Sequence, residues 1–287
     1  MDETIKLYPT SFNSAEELSF FITRDFTSEE EKVRAMFSWI IANVAYDPEE
    51  YKKFDYSFKN YRERNEKEEK VRQKIIKRTL KTGNAVCEGY AMLLEKLCEL
   101  QGVQNYLVRG DVKSNFDDLG RPFKRIHMWN VITIDGERYL FDATWGAGKW
   151  NGTFKKDPDY FYYKTPPEEF VKTHYPDMDE DSFLESASYN RKWFATIPLV
   201  LVKKLSITAI ETPENGVLKA DKYINAIPFV INSKPPKTIA YLDGTEKINV
   251  LFEEAEGSFS FTVPLKGKKQ EILVYFDDKP ALAYKVE

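Results

Sequence analysis

The chain has 287 residues, of which 31% are charged and 42% hydrophobic, with a net charge of −4. That is enough for two domains, each burying its own core, and the acidic balance argues against a protein devoted to nucleic acid or anionic membranes. No apolar run approaches the ~20 residues of a membrane span, and a monomer is the default state.

Met1-Asp-Glu-Thr lacks the charged n-region and apolar h-region of a signal peptide. The compartment therefore reads as cytoplasmic as the chain stands, and as periplasmic or secreted if a signal peptide has been removed. Two cysteines (Cys87, Cys98) and two histidines (His127, His174) are too few for a His-rich or Cys-x-x-Cys metal site. No cofactor and no metal are expected.

In chain order, Ser14-Ala-Glu-Glu17 fits a capping box that opens a short helix. Ser28 and an acidic first turn, Glu29 to Glu31, precede Val33, Met36, Phe37, Ile40, Ile41 and Val44 at helical spacing. Pro48 forbids that helix from continuing. Residues 49–81 mix Lys, Arg and Glu with few aliphatics and read as a solvated helical face, tacked to the core by Ile75, Ile76 and Leu80.

A turn at Thr82-Gly83-Asn84 delivers the chain to Cys87, where a helical pattern starts at once. Ala91, Leu94, Leu97 and Cys98 share its apolar stripe, and Gln101-Gly102 supplies the stop. Cys87 falls in the first turn, where free N–H groups and the positive end of the helix dipole favour a thiolate. Cys98, three turns on, reads as core packing. The period then changes to two. Residues 105–112 are a strand, 113–125 a polar loop, and 127–134 and 138–144 a hairpin around Asp135-Gly136. An aromatic, irregular stretch follows to 190 and includes His174, which reads as structural. From 197 onward the runs 199–210, 227–231, 238–242, 247–252, 258–263, 271–276 and 281–286 are β-patterned, which suits a small β-sandwich.

The chemistry converges on three residues. His127 lies 40 residues beyond Cys87, and Asp142 another 15 on. With a two-residue turn, hairpin positions whose numbers sum to an odd value share a face, so His127 and Asp142 point the same way, opposite or one diagonal step apart. Cys87 then serves as nucleophile. His127 takes its proton and later gives it to the leaving amine, and Asp142 fixes the imidazole tautomer. The Cys87 N–H is an oxyanion donor, with Asn84 and Trp129 as candidates for a second donor or a site wall.

Gly83-Asn-Ala-Val-Cys87-Glu-Gly-Tyr-Ala91, His127-Met-Trp-Asn130 and Tyr139-Leu-Phe-Asp142-Ala-Thr-Trp-Gly146 resemble the core of the transglutaminase-like superfamily. The upstream segment from Trp39 to Asp47 matches its pre-core helix. Asp159-Tyr-Phe161, Pro167-Glu-Glu-Phe170 and His174-Tyr-Pro176 are similar to the kyphoscoliosis-peptidase branch. The resemblance spans residues 18–176 and implies a papain-like α+β core with Cys87, His127 and Asp142 as its triad. The expected architecture is a catalytic domain over 1–195 followed by an immunoglobulin-like β-sandwich over 196–287. The expected activity is acyl transfer at peptide or carboxamide bonds of a protein or peptide substrate through a thioester, with hydrolysis first. Protein cross-linking through Gln and Lys, and a silent protein-binding scaffold, are the alternatives.

Overall fold

A computed structural model describes residues 2–54, 61–185, 188–201, 203, 207 and 209–287. It divides into two compact units, residues 1–110 with 126–166, and residues 111–125 with 167–287. Among the described residues no helix is long and apolar enough to cross a membrane.

The first unit opens with helices α1 (Asp2–Ile5), α2 (Ala15–Asp25) and α3 (Glu29–Asn43). Ser14 accepts from the Glu17 N–H at 3.4 Å, but Glu17 returns its bond to Asn13 (3.0 Å), so the expected box closes one residue early. At Ser28 the box with Glu31 is complete. The α3 stripe is shielded from solvent throughout, from Val33 to Val44. Strand β1 (Ala45–Tyr46) follows, and then α4 (Tyr61–Thr82), whose Ile75, Ile76 and Leu80 are buried as expected. Part of the charged run, residues 55–60, lies outside the described residues. Strand β2 (Asn84–Ala85) runs parallel to β1 and leads straight into α5 (Cys87–Leu100).

Helix α5 is the axis of this unit. It packs on α2, α3 and α4 and against the sheet formed by β3 (Asn105–Val112), β4 (His127–Ile134), β5 (Glu137–Phe141) and β8 (Tyr163–Thr165) in the order β8-β5-β4-β3. Burial on several sides explains why so much of α5, from Cys87 through Leu94, is inaccessible. Two polar bonds fix its position. Tyr90 donates its hydroxyl to the Val44 carbonyl at 2.8 Å, and Asn130 of β4 donates its amide to the Ala91 carbonyl at 2.9 Å.

Gly89 sets how closely α4 and β2 approach α5. A Cβ there would stand 2.6 Å from both the Ala85 Cβ and the Thr79 Oγ1. Alanine would bring about 1 kcal/mol of helix propensity, yet the clash with a backbone-tied methyl costs about 1–3 kcal/mol. Gly89→Ala is therefore expected to lower the melting temperature of the unit by several degrees in a thermal melt. An unchanged or raised melting temperature would refute the packing argument.

The β4–β5 turn is Asp135-Gly136, both with positive φ (51° and 85°), the two-residue geometry that suits Asp-Gly. The register pairs Asn130 with Phe141 and Ile134 with Glu137. The strand expected over 138–144 stops at Phe141, because the Asp142 side chain caps a short helix, α6 (Ala143–Ala147). A second hairpin, β6 (Gly148–Trp150) with β7 (Phe154–Lys156), follows it. Lys156 of β7 donates to the carbonyls of Val44 (2.7 Å), Ala42 (2.9 Å) and Ile41 (3.2 Å), placing a cation at the C-terminus of α3.

The second unit contains α7 (Pro167–Phe170), β9 (His174–Pro176), α8 (Arg191–Thr196) and the strands β10 (Leu199–Val200), β11 (Ala209–Thr212), β12 (Val217–Leu218), β13 (Ala226–Asn232), β14 (Ile239–Asp243), β15 (Glu246–Val250), β16 (Phe252–Ala255), β17 (Ser258–Pro264), β18 (Gln270–Phe276) and β19 (Lys279–Val286). One sheet runs β10-β19-β18-β14-β15, with β12 also on β19. The other runs β11-β13-β17-β16. Alternate residues of facing strands, among them Ile227, Phe229, Ile231, Phe259, Phe261, Ile272, Val274 and Tyr284, meet in one core, as in a β-sandwich. Of the run expected over 199–210, positions 202, 204–206 and 208 lie outside the described residues.

The boundary expected at 195/196 falls inside this unit. Val171, Tyr175, Phe194 and Ile197 form a single apolar cluster, which ties residues 167–195 to it. The polar loop 113–125 belongs here as well. Leu119 packs with Leu199 and Ala283. Arg121 takes up the loop's acidic groups, with both Asp111 oxygens at 2.7 Å and Asp118 at 2.9 Å.

Candidate active site

Cys87 is the first residue of α5, and the preceding Val86 supplies no side-chain cap. The cysteine is 6% exposed. Its Sγ lies 3.3 Å from Glu88 Oε2, to which the thiol donates. Burial, the Glu88 charge and hydrogen bond, and the Asp142 charge push the thiol well up, against a backbone hydrogen bond from Met128. The position at the helix N-terminus is as expected, but burial and the neighbouring carboxylates oppose the thiolate that the helix terminus favours. A partial dipole charge at a buried sulfur is outweighed by lost hydration and two full negative charges nearby.

His127 begins β4, opposite Gly110 of β3, and is buried. Its Nε2 meets Asp142 Oδ2 at 2.7 Å. Continuing the β4–β5 register would place Asp142 across from Trp129, which is the diagonal step expected from the odd sum. Asp142 is fully buried, and its Oδ1 accepts from the N–H groups of Thr144 (2.8 Å) and Trp145 (3.0 Å). One carboxylate thus caps α6 with one oxygen and orients the imidazole with the other. The rings of Trp129 and Trp145 stand 6.2 and 6.3 Å from the His127 ring. Trp129 is buried and shares the His127 face of β4, consistent with a wall. The Asn84 amide donates to the Thr82 carbonyl of its own turn at 3.4 Å.

Cys87, His127 and Asp142 are thus gathered where α5, β4 and the α6 N-terminus meet. Cys98 is buried on the apolar side of α5. His174 stacks on Phe170 at 4.2 Å, with its Nδ1 2.8 Å from the Thr173 hydroxyl.

Two further residues were not assigned from the sequence. Glu88 is buried, with Oε1 3.5 Å from Arg109 Nη1. Tyr46, paired with Ala85 across the β1–β2 ladder, is half-buried, and its phenol is lifted to about 12 by burial and then by the Cys87 and Glu88 charges. Its ring meets Trp150 of β6 edge-on at 5.9 Å. A two-residue ladder leaves no periodic signal, so only the position of Glu88 beside Cys87 offered a clue.

A cysteine at the start of a central helix thus lies beside a His–Asp pair at the end of an antiparallel sheet. Residues 16–151 match the family model described as a transglutaminase-like domain. Over 155 residues it is 33% identical to the kyphoscoliosis peptidase of Mus musculus, covering 52% of this chain and 21% of that protein. Over 173 residues it is 30% identical to the kyphoscoliosis peptidase of Homo sapiens, covering 58% and 24%. The chain thus spans about a quarter or less of the length of these curated relatives. A solved structure of a TGase is similar over 57% of this chain and 36% of that one, at 17% identity and a TM-score of 0.31.

Proposed function

We propose that the chain is a cysteine-nucleophile acyl-transfer enzyme that hydrolyses peptide or carboxamide bonds. The observation that carries this reading is the buried 2.7 Å contact between His127 at the start of β4 and Asp142 at the start of α6, beside the first residue of α5. Nε2 is committed to Asp142, so Nδ1 is the ring atom that exchanges a proton with Cys87. The thiol passes its proton to Nδ1 as the sulfur attacks the carbonyl carbon. The imidazolium is held by Asp142, and the oxyanion accepts from the Cys87 N–H. The imidazolium then protonates the leaving amine, leaving a thioester, and His127 activates water to release the acid. Trp129 walls the site. The peptidase names of the relatives favour water as the acceptor. The second unit is read as an immunoglobulin-like module.

The test incubates wild type and Cys87→Ala with casein and a peptide library, with and without a fluorescent primary amine, and reads products by mass spectrometry. Cleavage or deamidation present only with Cys87 is the expected result. Amine incorporation would move the acceptor to an amine and the reading to a transglutaminase. Identical product profiles for both proteins would overturn the enzyme reading in favour of a binding scaffold.

A further inference from the structure

We propose that Glu88 is a positioning residue that keeps the Cys87 sulfur as a thiol between turnovers, with Arg109 setting how firmly it does so. This rests on the reading of Cys87 as nucleophile and adds a control element to it. An ionised carboxylate can only accept. The 3.3 Å contact from Sγ to Glu88 Oε2 therefore aims the S–H at Glu88 rather than at His127. Losing that proton in place would leave a sulfur anion against a carboxylate in a buried setting, where like charges repel strongly. The thiol is released only when the S–H turns from Glu88 to Nδ1 of His127, where the proton is stabilised through Asp142. Glu88 neither gains nor loses an atom in this step.

The other charged and titratable groups around the sulfur come from each element packed there. They are Tyr90 on α5, Tyr46 on β1, His127 on β4 and Asp142 at the start of α6. None of them is a permanent cation. Arg109 of β3 is the fixed positive charge on the Glu88 carboxylate, 3.5 Å from Oε1. Its side chain is 47% exposed while that of Glu88 is 10% exposed, so one end of the pair touches solvent and the other faces the nucleophile. Charge drawn toward Arg109 is charge withdrawn from the oxygen that holds the thiol.

The test is the rate of iodoacetamide alkylation of Cys87 from pH 5 to 10, followed by mass spectrometry of its peptide, with the Cys98 peptide as internal reference. In Glu88→Gln the alkylation midpoint falls by about one pH unit. The rate near neutral pH rises only about threefold, since a less basic thiolate is a weaker nucleophile. In Arg109→Gln the midpoint moves the opposite way. Glu88→Asp, which keeps the charge but draws it back from the sulfur, lowers the midpoint by less than Glu88→Gln does, and the graded response guards against a folding artefact in either variant. Unchanged or raised midpoints in both Glu88 variants would overturn the proposal. Alkylation needs no substrate, so a failure here is distinct from a failure to find Cys87-dependent product.

Discussion

Replacing Asp142 with asparagine is expected to lower kcat by about 10³–10⁴-fold while moving the melting temperature by no more than a few degrees. The argument turns on the division of labour between the two carboxylate oxygens. Oδ1 accepts from the N–H groups of Thr144 and Trp145, and Oδ2 meets His127 Nε2. An asparagine must keep its carbonyl on the two N–H groups, because turning its NH2 there would set donors against donors. Its NH2 then faces His127 and forces Nε2 to accept. The ring proton moves to Nδ1, the atom that has to take the proton from Cys87, and the base is lost. Asp142→Ala would abolish the cap as well and destabilise α6 by about 1 kcal/mol. The pair of variants therefore separates tautomer control from folding. Steady-state kinetics and thermal melts of both make the measurement. An Asp142→Asn enzyme within tenfold of wild type would show that Asp142 does not govern the imidazole.

How much of this was legible in the sequence depends on whether the determining interaction was local. The α3 stripe, the acidic first turn after Ser28, the two-residue Asp135-Gly136 turn and the spacing of His127 and Asp142 are each written within a few residues of chain or in a period-2 register, and the structure has them where they were expected. The end of β5 was misjudged because an apolar run, 139–141, leads straight into Asp142, and strand alternation carries no sign that this side chain will turn back onto the next two N–H groups. The balance of effects on the Cys87 thiol was hidden for a related reason. The helix terminus is visible locally, whereas burial by other elements and the approach of Asp142 are tertiary. The division of the chain was hidden in the same way. Residues 111–125 and 167–195 contain ordinary polar and aromatic sequence, and only the cluster around Tyr175 and Phe194 reveals which core they serve.

Lys113→Met is expected to stabilise the second unit at neutral pH and to remove a steep part of its pH dependence. Lys113 is 2% exposed. Its ammonium donates to the Ile197 carbonyl at 2.9 Å and lies 5.0 Å from the centre of the Phe194 ring. Burial, reinforced by the Arg121 charge and opposed by Asp111 and Asp118, lowers its pKa from 10.5 to about 7. The folded state therefore binds this proton less tightly than the unfolded chain does. Between pH 7 and 10.5 unfolding takes up a proton, so the stability of the unit rises as pH rises through that window. Below the window both states are protonated, and above it neither is. Methionine keeps the length of the side chain and removes the charge. It forfeits the bond to the Ile197 carbonyl, worth about 1 kcal/mol, and avoids a larger desolvation cost. Urea denaturation of both proteins at pH 6.5 and 9.5 should show the mutant ahead at the lower pH, with the gap narrowing by about 3 kcal/mol at the higher one. A gap independent of pH would mean that the ammonium keeps its charge inside the fold, its hydrogen bond and the Phe194 face offsetting the loss of water.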